Sequence, residues 1–308
     1  MSAAPAVRDV DRLDPADVPM VLDLLHAATA ADGVRPLSEE AELRLQHGGP
    51  PGGRDLLVPA PDGGLAGYAR FEAGTGGPDA EAELVVAPGC RRRGVGRALL
   101  TRLEQLAGGR PLRVWAHGDL PGSAELARSR GYTRARVLIQ MRRELATVDP
   151  APRPRLPQGV TVRAFRPGVD EQAWLRVNAR AFASHPEQGG WTAEDLLLRE
   201  AEPWFDPAGF LLGWDGDRLL GSHWTKVHPP GDVGPEAVGE VYVLGVDPDG
   251  QGTGLGRALT DLGLAHLRAR GLREVLLYVE EDNAAAVALY ERSGFTRYAV
   301  DVSWRRVS

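Results

Sequence analysis

Apolar residues recur along this chain with two periods, and each change of period marks an element. Residues 15–29 carry Val18, Val21, Leu22 and Leu25 at helical spacing, and Ser38-Glu39-Glu40 opens a second helix with Ser38 as its N-cap. Residues 56–58 and 65–71 read as paired strands around the turn Pro61-Asp62-Gly63-Gly64. Strands follow at 82–86 and 114–116, a short helix at 123–129 and a closing strand at 137–141. Residues 147–158, TVDPAPRPRLPQ, are proline-rich and polar and suit a stiff linker. The order then begins again. It gives a strand at 160–162, a helix at 170–182, a turn-rich stretch at 184–191 and a helix at 193–200. Strands at 210–214, 219–226, 240–246 and 274–279 follow, then a helix capped by Asp282-Asn283 and a last strand at 298–304.

The two runs of elements share residues as well as order. Leu84-Val85-Val86-Ala87-Pro88 matches Leu244-Gly245-Val246-Asp247-Pro248, and Arg93 to Leu99 (RGVGRAL) matches Thr253 to Leu259 (TGLGRAL). Ser129-Arg130-Gly131-Tyr132 matches Arg292-Ser293-Gly294-Phe295. An internal repeat of this kind is a duplicated domain. The expected fold is α/β with a mixed sheet in each of two tandem domains, 1–146 and 159–308, joined by the linker 147–158.

Composition narrows the partners. A net charge of −6 argues against nucleic acid, which needs a basic surface. No apolar run approaches membrane-spanning length, and the N-terminus lacks the apolar core of a signal peptide. A single cysteine, Cys90, excludes an intrachain disulfide framework and makes the cytoplasm the default. His185, His223 and His228 lack metal-ligand spacing, so no metal is expected. A monomer acting on a small molecule is the expectation.

The densest chemistry lies where the strand at 240–246 runs into Gly252, Gly254 and Gly256 and then into the helix opened by Arg257-Ala258-Leu259. A strand, a glycine loop and a helix start cradle an anion, because the first-turn N–H groups and the helix dipole point at it. The residue types exclude a Gly-Lys-Ser/Thr nucleotide loop and a dinucleotide fingerprint, since position 257 is arginine. A plain glycine-rich surface loop stays open on the motif alone. Gln251-Gly252-Thr253-Gly254-Leu255-Gly256 resembles the Gln/Arg-x-x-Gly-x-Gly/Ala loop of the GNAT acetyltransferases, which binds the pyrophosphate of acetyl-CoA. With the repeat, the resemblance implies two tandem GNAT domains.

Acetyl transfer to an amine needs a base, an oxyanion donor and an acid for the departing thiolate. Glu240, Tyr242 and Leu244 alternate in one strand, so the expectation is a shared face, with Glu240 as base and the Leu244 N–H as oxyanion donor. Tyr290 lies seven residues beyond Asn283, on roughly the same helix face, and is the candidate acid. Aligned in the first half, Ala80 falls opposite Glu240, Leu120 opposite Asn283 and Ala127 opposite Tyr290. The first domain thus keeps a cradle and is expected to lack the catalytic pair. Glu81 and Glu83 lie close by, Glu83 with the wrong parity relative to Leu84.

Longer segments carry a narrower resemblance. Residues 179–192, His223-Trp224-Thr225-Lys226-Val227-His228, and 239–248 are similar to the mycothiol synthase family, as are Trp115-Ala116-His117-Gly118 and Ile139-Gln140-Met141-Arg142-Arg143. The resemblance spans nearly the whole chain and implies acetylation, from acetyl-CoA, of the cysteinyl amine of cysteinyl-glucosaminyl-inositol. It implies substrate contacts at Glu39, Glu187, Lys226, Glu240 and Tyr278. It implies cofactor contacts in the first half at Leu84, Val85, Val86, Arg92, Arg93, Gly94, Val95, Gly96 and Arg97. In the second half these are Leu244, Gly245, Val246, Gln251, Gly252, Thr253, Gly254, Leu255, Gly256 and Arg257, with Asn283, Ala284, Ala285, Ala286, Val287 and Ala288. The segment between Leu267 and Glu274 is shorter than in some members and reads as a trimmed loop.

Structural alternatives stand beside these roles. Glu240 could be a strand-end ion pair, Tyr290 a core aromatic, and Glu39 and Glu187 ordinary surface acids. Lys226, the only lysine among 36 basic residues, could be solvated, and Arg91-Arg92-Arg93 could be a charge run. Rival functions are a GNAT acting on a protein N-terminus or an aminoglycoside, and an acetyl-CoA sensor without chemistry.

Overall fold

The computed structural model describes residues 5–47, 52–61, 63–74, 79–145, 154–183 and 186–307, with the backbone alone at 46–47 and 186–187. Most of the expected linker (147–153), with Asp62, Ser184 and His185, lies outside the described residues. The chain divides into two compact units.

The first unit contains β1 (Arg8–Val10), α1 (Asp17–Asp32), α2 (Glu39–His47), β2 (Arg54–Pro59), β3 (Leu65–Glu72), β4 (Ala80–Val86), α3 (Val95–Ala107), β5 (Leu112–Ala116), α4 (Pro121–Ser129) and the start of β6 (Thr133–Glu144). β1 to β4 pair antiparallel in chain order, and β4 pairs parallel with β5. β4 is covered on both faces. Ala80, Ala82, Leu84 and Val86 meet Leu99, Leu100 and Leu103 of α3, while Val85 meets Val21, Leu24 and Leu25 of α1. Alternation along an unbroken strand produces this two-sided burial.

The second unit contains β7 (Val160–Ala164), α5 (Glu171–Ala181), α6 (Pro186–Gly189), α7 (Ala193–Glu200), β8 (Phe210–Asp215), β9 (Arg218–His228), β10 (Val238–Val246), α8 (Leu255–Ala269), β11 (Glu274–Glu280), α9 (Ala284–Arg292) and the start of β12 (Thr296–Arg306). β7 to β10 are antiparallel neighbours, and β10 and β11 run parallel. One face of this sheet carries an aromatic core, with Phe210 and Trp224 stacked 4.4 Å apart and Trp174 edge-on to both. The Trp174 indole donates to Ser222 Oγ at 2.9 Å, which satisfies its buried N–H. Leu255 and Leu259 of α8 cover the opposite face beside Leu244 and Val246.

The closing strands depart from the linear order of the duplication. Residues 140–144 of β6 belong to the second unit, where β6 flanks β11 and Leu145 N–H donates to Arg273 O at 2.7 Å. Residues 299–308 belong to the first unit, where Val302 to Arg306 pair with Ala116 to Leu112 of β5. Val302 and Trp304 are there part of the core under α3. The strand at 137–141 therefore does not simply close the first domain, and 159–308 is not one compact body. Hydrophobic alternation says that a segment is a strand; it does not say whose edge that strand completes.

Candidate active site

The site begins with a fault in β10. Glu240 stands opposite Lys226 and Val241 opposite Thr225, but Val243 stands opposite Trp224 and Leu244 opposite His223. Tyr242 is the extra residue of a β-bulge, a feature that re-aims side chains and interrupts a ladder. The expected common face of Glu240, Tyr242 and Leu244 is corrected by it. Glu240 and Tyr242 share the face of Lys226 and Trp224, and the Leu244 side chain turns to the other face with Leu255 and Leu259. The oxyanion role assigned to Leu244 concerns its N–H and does not depend on where its side chain points.

On the other side of β10 the parallel register ends at Val241↔Leu277, although the strands run on to Val246 and Glu280. Strands that stop pairing while continuing leave a wedge, with backbone groups of 242–246 outside that ladder. Below it lies the glycine loop. Gly254 caps α8 at φ 91° with no side-chain bond, and the first helical bond here is Ala258 N–H to Gly254 O, 3.1 Å. The N–H groups of Leu255, Gly256 and Arg257 thus precede the first bond of the helix. Gly252 also has a positive φ, 74°, where a side chain would strain the turn. Thr253 Oγ1 donates to Gly250 O at 2.7 Å, and Gln251 Nε2 to Val246 O at 3.3 Å, which fixes the loop. At the start of α9, Asn283 Oδ1 accepts from Ala286 N–H at 3.1 Å. Asn283, Ala284 and Ala285 are exposed there, while Val287 turns into the core.

The polar groups gather on the bulged face. Glu240 is only 7% exposed, with Oε2 2.6 Å from His228 Nε2. His228 Nδ1 lies 2.6 Å from Asp232 Oδ2. Lys226 Nζ sits over the rings of Trp204 and Tyr242, 4.5 and 5.5 Å from their centroids, a cation–π arrangement rather than a solvated charge. Arg199 Nε donates to Tyr242 Oη at 2.8 Å. Tyr278 is two residues beyond Leu276, the register partner of Glu240, so it shares that face; its hydroxyl accepts from Gln140 Nε2 at 2.7 Å. Tyr290 is 7% exposed and edge-on to Phe295 at 5.8 Å. Burial holds its hydroxyl pKa well above the usual tyrosine value, so it keeps its proton at neutral pH. Glu187 lies in α6, where only the backbone is described, and Glu39 lies on α2 of the first unit.

His228 and Asp232 had no assigned role in the sequence. One signal was available: His228 has the same strand parity as Lys226. His223, by contrast, has a packing role. Its Nδ1 lies 2.7 Å from Leu259 O, and burial pushes its pKa down to about 4.

The first unit answers differently at each position. Gly94 caps α3 at φ 86°, but Arg92 stands where Gly252 does and is held at φ 61°. The Arg91 guanidinium meets Asp32 at 2.7 and 2.6 Å, and Arg92, an expected cofactor contact, meets Glu125 at 2.6 Å, so carboxylates already face two arginines of the 91–93 run. β4 has no bulge, since its register with β3 is continuous. Counted back from Leu84 and Leu244, the face of Glu240 is therefore matched by Glu81, which corrects the pairing with Ala80. Glu81 lies 3.7 Å from Arg113. Glu83 accepts from Ser38 N–H and Oγ, both at 2.6 Å, and faces His117 at 3.5 Å, while His117 Nδ1 lies 3.0 Å from Asp301. Burial opposes charge on this imidazole, but Asp301 and Glu83 outweigh it and raise its pKa to about 10.

Among the described residues no group of three or more His, Cys, Asp or Glu side chains is arranged to hold a metal, and no helix is long and apolar enough to cross a membrane.

Comparison with known proteins gives the same fold twice over. The family model "Acetyltransferase (GNAT) family" matches residues 22–132 and again 174–295. A mycothiol acetyltransferase of Geodermatophilus obscurus is 84% identical over 99% of both chains. One of Thermobispora bispora is 56% identical over 97% of this chain and 99% of its own. A GCN5-related N-acetyltransferase from Sphaerobacter thermophilus superposes with a TM-score of 0.74 at 26% identity, covering 99% of this chain and 96% of that one. A tandem GNAT protein from the clavulanic acid biosynthesis pathway gives 0.75 at 23% identity over 98% of both, a likeness of fold alone.

Proposed function

The chain belongs to the GNAT acetyltransferase family and within it to the mycothiol acetyltransferases, and on that footing we propose which amine it acetylates and which residues do so. Its chemistry is acyl transfer from acetyl-CoA. The acceptor is the cysteinyl amine of cysteinyl-glucosaminyl-inositol, and the reaction takes place in the second unit, in the cytoplasm, by a monomer.

The steps follow from the residues. Acetyl-CoA lies along the wedge between β10 and β11, with its pyrophosphate on the N–H groups of 255–257 and the residues opening α9 beside it. An α-amine has a pKa of about 8, so at neutral pH it arrives mostly protonated. Glu240 takes that proton. The amine nitrogen attacks the thioester carbon, and the Leu244 N–H meets the oxygen that becomes negative. The tetrahedral intermediate collapses, the C–S bond breaks, and Tyr290 gives the CoA thiolate its proton. Lys226, Tyr278 and Glu187 bind the sugar–inositol portion. The first unit carries out no transfer.

The observation that supports this most is a buried carboxylate, Glu240, on the bulged strand where β10 and β11 part. Mass spectrometry of the protein with acetyl-CoA and cysteinyl-glucosaminyl-inositol should show the N-acetyl product. A folded protein that binds CoA and makes none would reject the acceptor, and equal turnover of an unrelated peptide amine would favour a protein acetylase.

A further inference from the structure

Glu240 is held from behind. His228 ends β9 on the face of Lys226, and Pro229-Pro230-Gly231 turn the chain back at once. Gly231, at φ 91°, donates its N–H to Gly234 O at 2.8 Å. That tight turn returns Asp232 to the ring four residues after the strand ends. The imidazole then spans two carboxylates, 2.6 Å from each, with Glu240 on Nε2 and Asp232 on Nδ1. His228 is 4% exposed, whereas the Asp232 side chain is 23% exposed, so the chain of groups runs from the buried site towards solvent.

A buried carboxylate is costly unless it is paired and hydrogen-bonded. A base must be ionised before its substrate arrives, and one of its oxygens must be left for the proton. We propose that Asp232 and His228 are positioning residues for the base. The imidazolium, fixed in orientation by Asp232, clamps Oε2 of Glu240 with an opposite charge and leaves Oε1 to meet the amine. The proposal rests on Glu240 being the base. His228 moves no proton itself. The proton passes from the substrate ammonium to Oε1, the nitrogen lone pair forms the C–N bond, and Glu240 releases the proton to water after the product leaves.

The charges around the ring agree. Burial disfavours the imidazolium, but Asp232 and Glu240 outweigh it and raise the His228 pKa, with Lys226 the cation that works against them. An imidazole kept protonated by the charge of flanking carboxylates, with one of them bonded to each ring nitrogen, has a fixed orientation.

The test is the pH dependence of kcat/KM. With His228→Gln, the acidic limb of the profile should move up by about one pH unit. At a pH on that limb the rate should fall about tenfold, and it should recover towards the wild-type value at higher pH, with acetyl-CoA affinity kept. Asp232→Asn should move the limb the same way by less, and because Asp232 is partly exposed it carries the measurement if His228→Gln does not fold. An unmoved limb in folded variants that bind acetyl-CoA overturns the positioning role, since a merely structural residue would lower the rate without shifting it. Glu240→Gln separates the two ideas. If it keeps turnover, the base assignment fails and this proposal with it; if it is inactive while both neighbours keep the wild-type limb, only the positioning role fails.

Discussion

The roles proposed for Tyr290 and Glu240, acid and base, need opposite things from their surroundings. An acid for the thiolate must hold its proton until sulfur leaves, and burial, which raises the Tyr290 pKa, suits it to that proposed role. A base must have an oxygen aimed at its proton, and the His228 ring, 2.6 Å from Oε2, fixes how the Glu240 carboxylate is turned. Both were candidates from the sequence, Glu240 by its place four residues before Leu244 in the strand and Tyr290 by lying seven residues beyond Asn283. Their partners were not, because His228 and Asp232 meet Glu240 through a turn whose geometry no pattern of apolar residues encodes. Replacing Tyr290 by Phe keeps the ring against Phe295 and removes only the hydroxyl. We expect kcat to drop about 100-fold with KM for acetyl-CoA nearly constant, within the range for loss of a general acid. Steady-state kinetics check this, and a variant with wild-type kcat would reassign the acid.

At the scale of elements, the bulge in β10 accounts for the main misreading of the sequence. Strict alternation placed Glu240, Tyr242 and Leu244 on one face, and one inserted residue moved Leu244 to the other. The same insertion makes Glu81, not Ala80, the face-equivalent of Glu240. A bulge leaves no signature in composition, so the error follows from the method of counting. The loop after the strand was legible because its glycines are demanded by backbone angles. Gly254 sits at φ 91°, and Ala there should cost roughly 1–3 kcal/mol of strain. Gly254→Ala should therefore weaken acetyl-CoA binding about tenfold or more in calorimetry, with Glu240 chemistry otherwise intact. The first unit supplies a prediction on stability. The folded-state pKa of His117 is raised from 6.5 to about 10, so its contribution is complete below about pH 6.5 and fades as pH rises through 10. His117→Gln should lower the melting temperature by on the order of 10 °C near neutral pH, as expected when a buried ion pair loses one partner. The gap between variant and wild type should close as pH approaches 10, and a gap independent of pH would assign the loss to packing instead.

For the whole molecule, the repeat told the number of units but not their makeup. Each half ends in a strand of suitable pattern, and nothing in either strand names the sheet that receives it. Residues 140–144 complete the second unit beside β11, and residues 299–308 complete the first beside β5. Cutting the chain in the linker therefore removes a strand from both cores. A fragment of residues 154–308 would bare the edge of β11 and carry Val302 and Trp304, both at most 2% exposed in the intact protein, away from the core they fill. An uncovered, apolar sheet edge invites aggregation. We expect fragments 1–150 and 151–308, each made alone, to be insoluble or to melt without a cooperative transition. Made together, they should co-purify as a one-to-one pair, because each supplies the strand the other lacks, and the pair should turn over acetyl-CoA. Size-exclusion chromatography and the product assay decide the matter. A soluble, active 151–308 fragment would mean that the second unit closes its own sheet, and would leave the exchanged strands without a structural purpose.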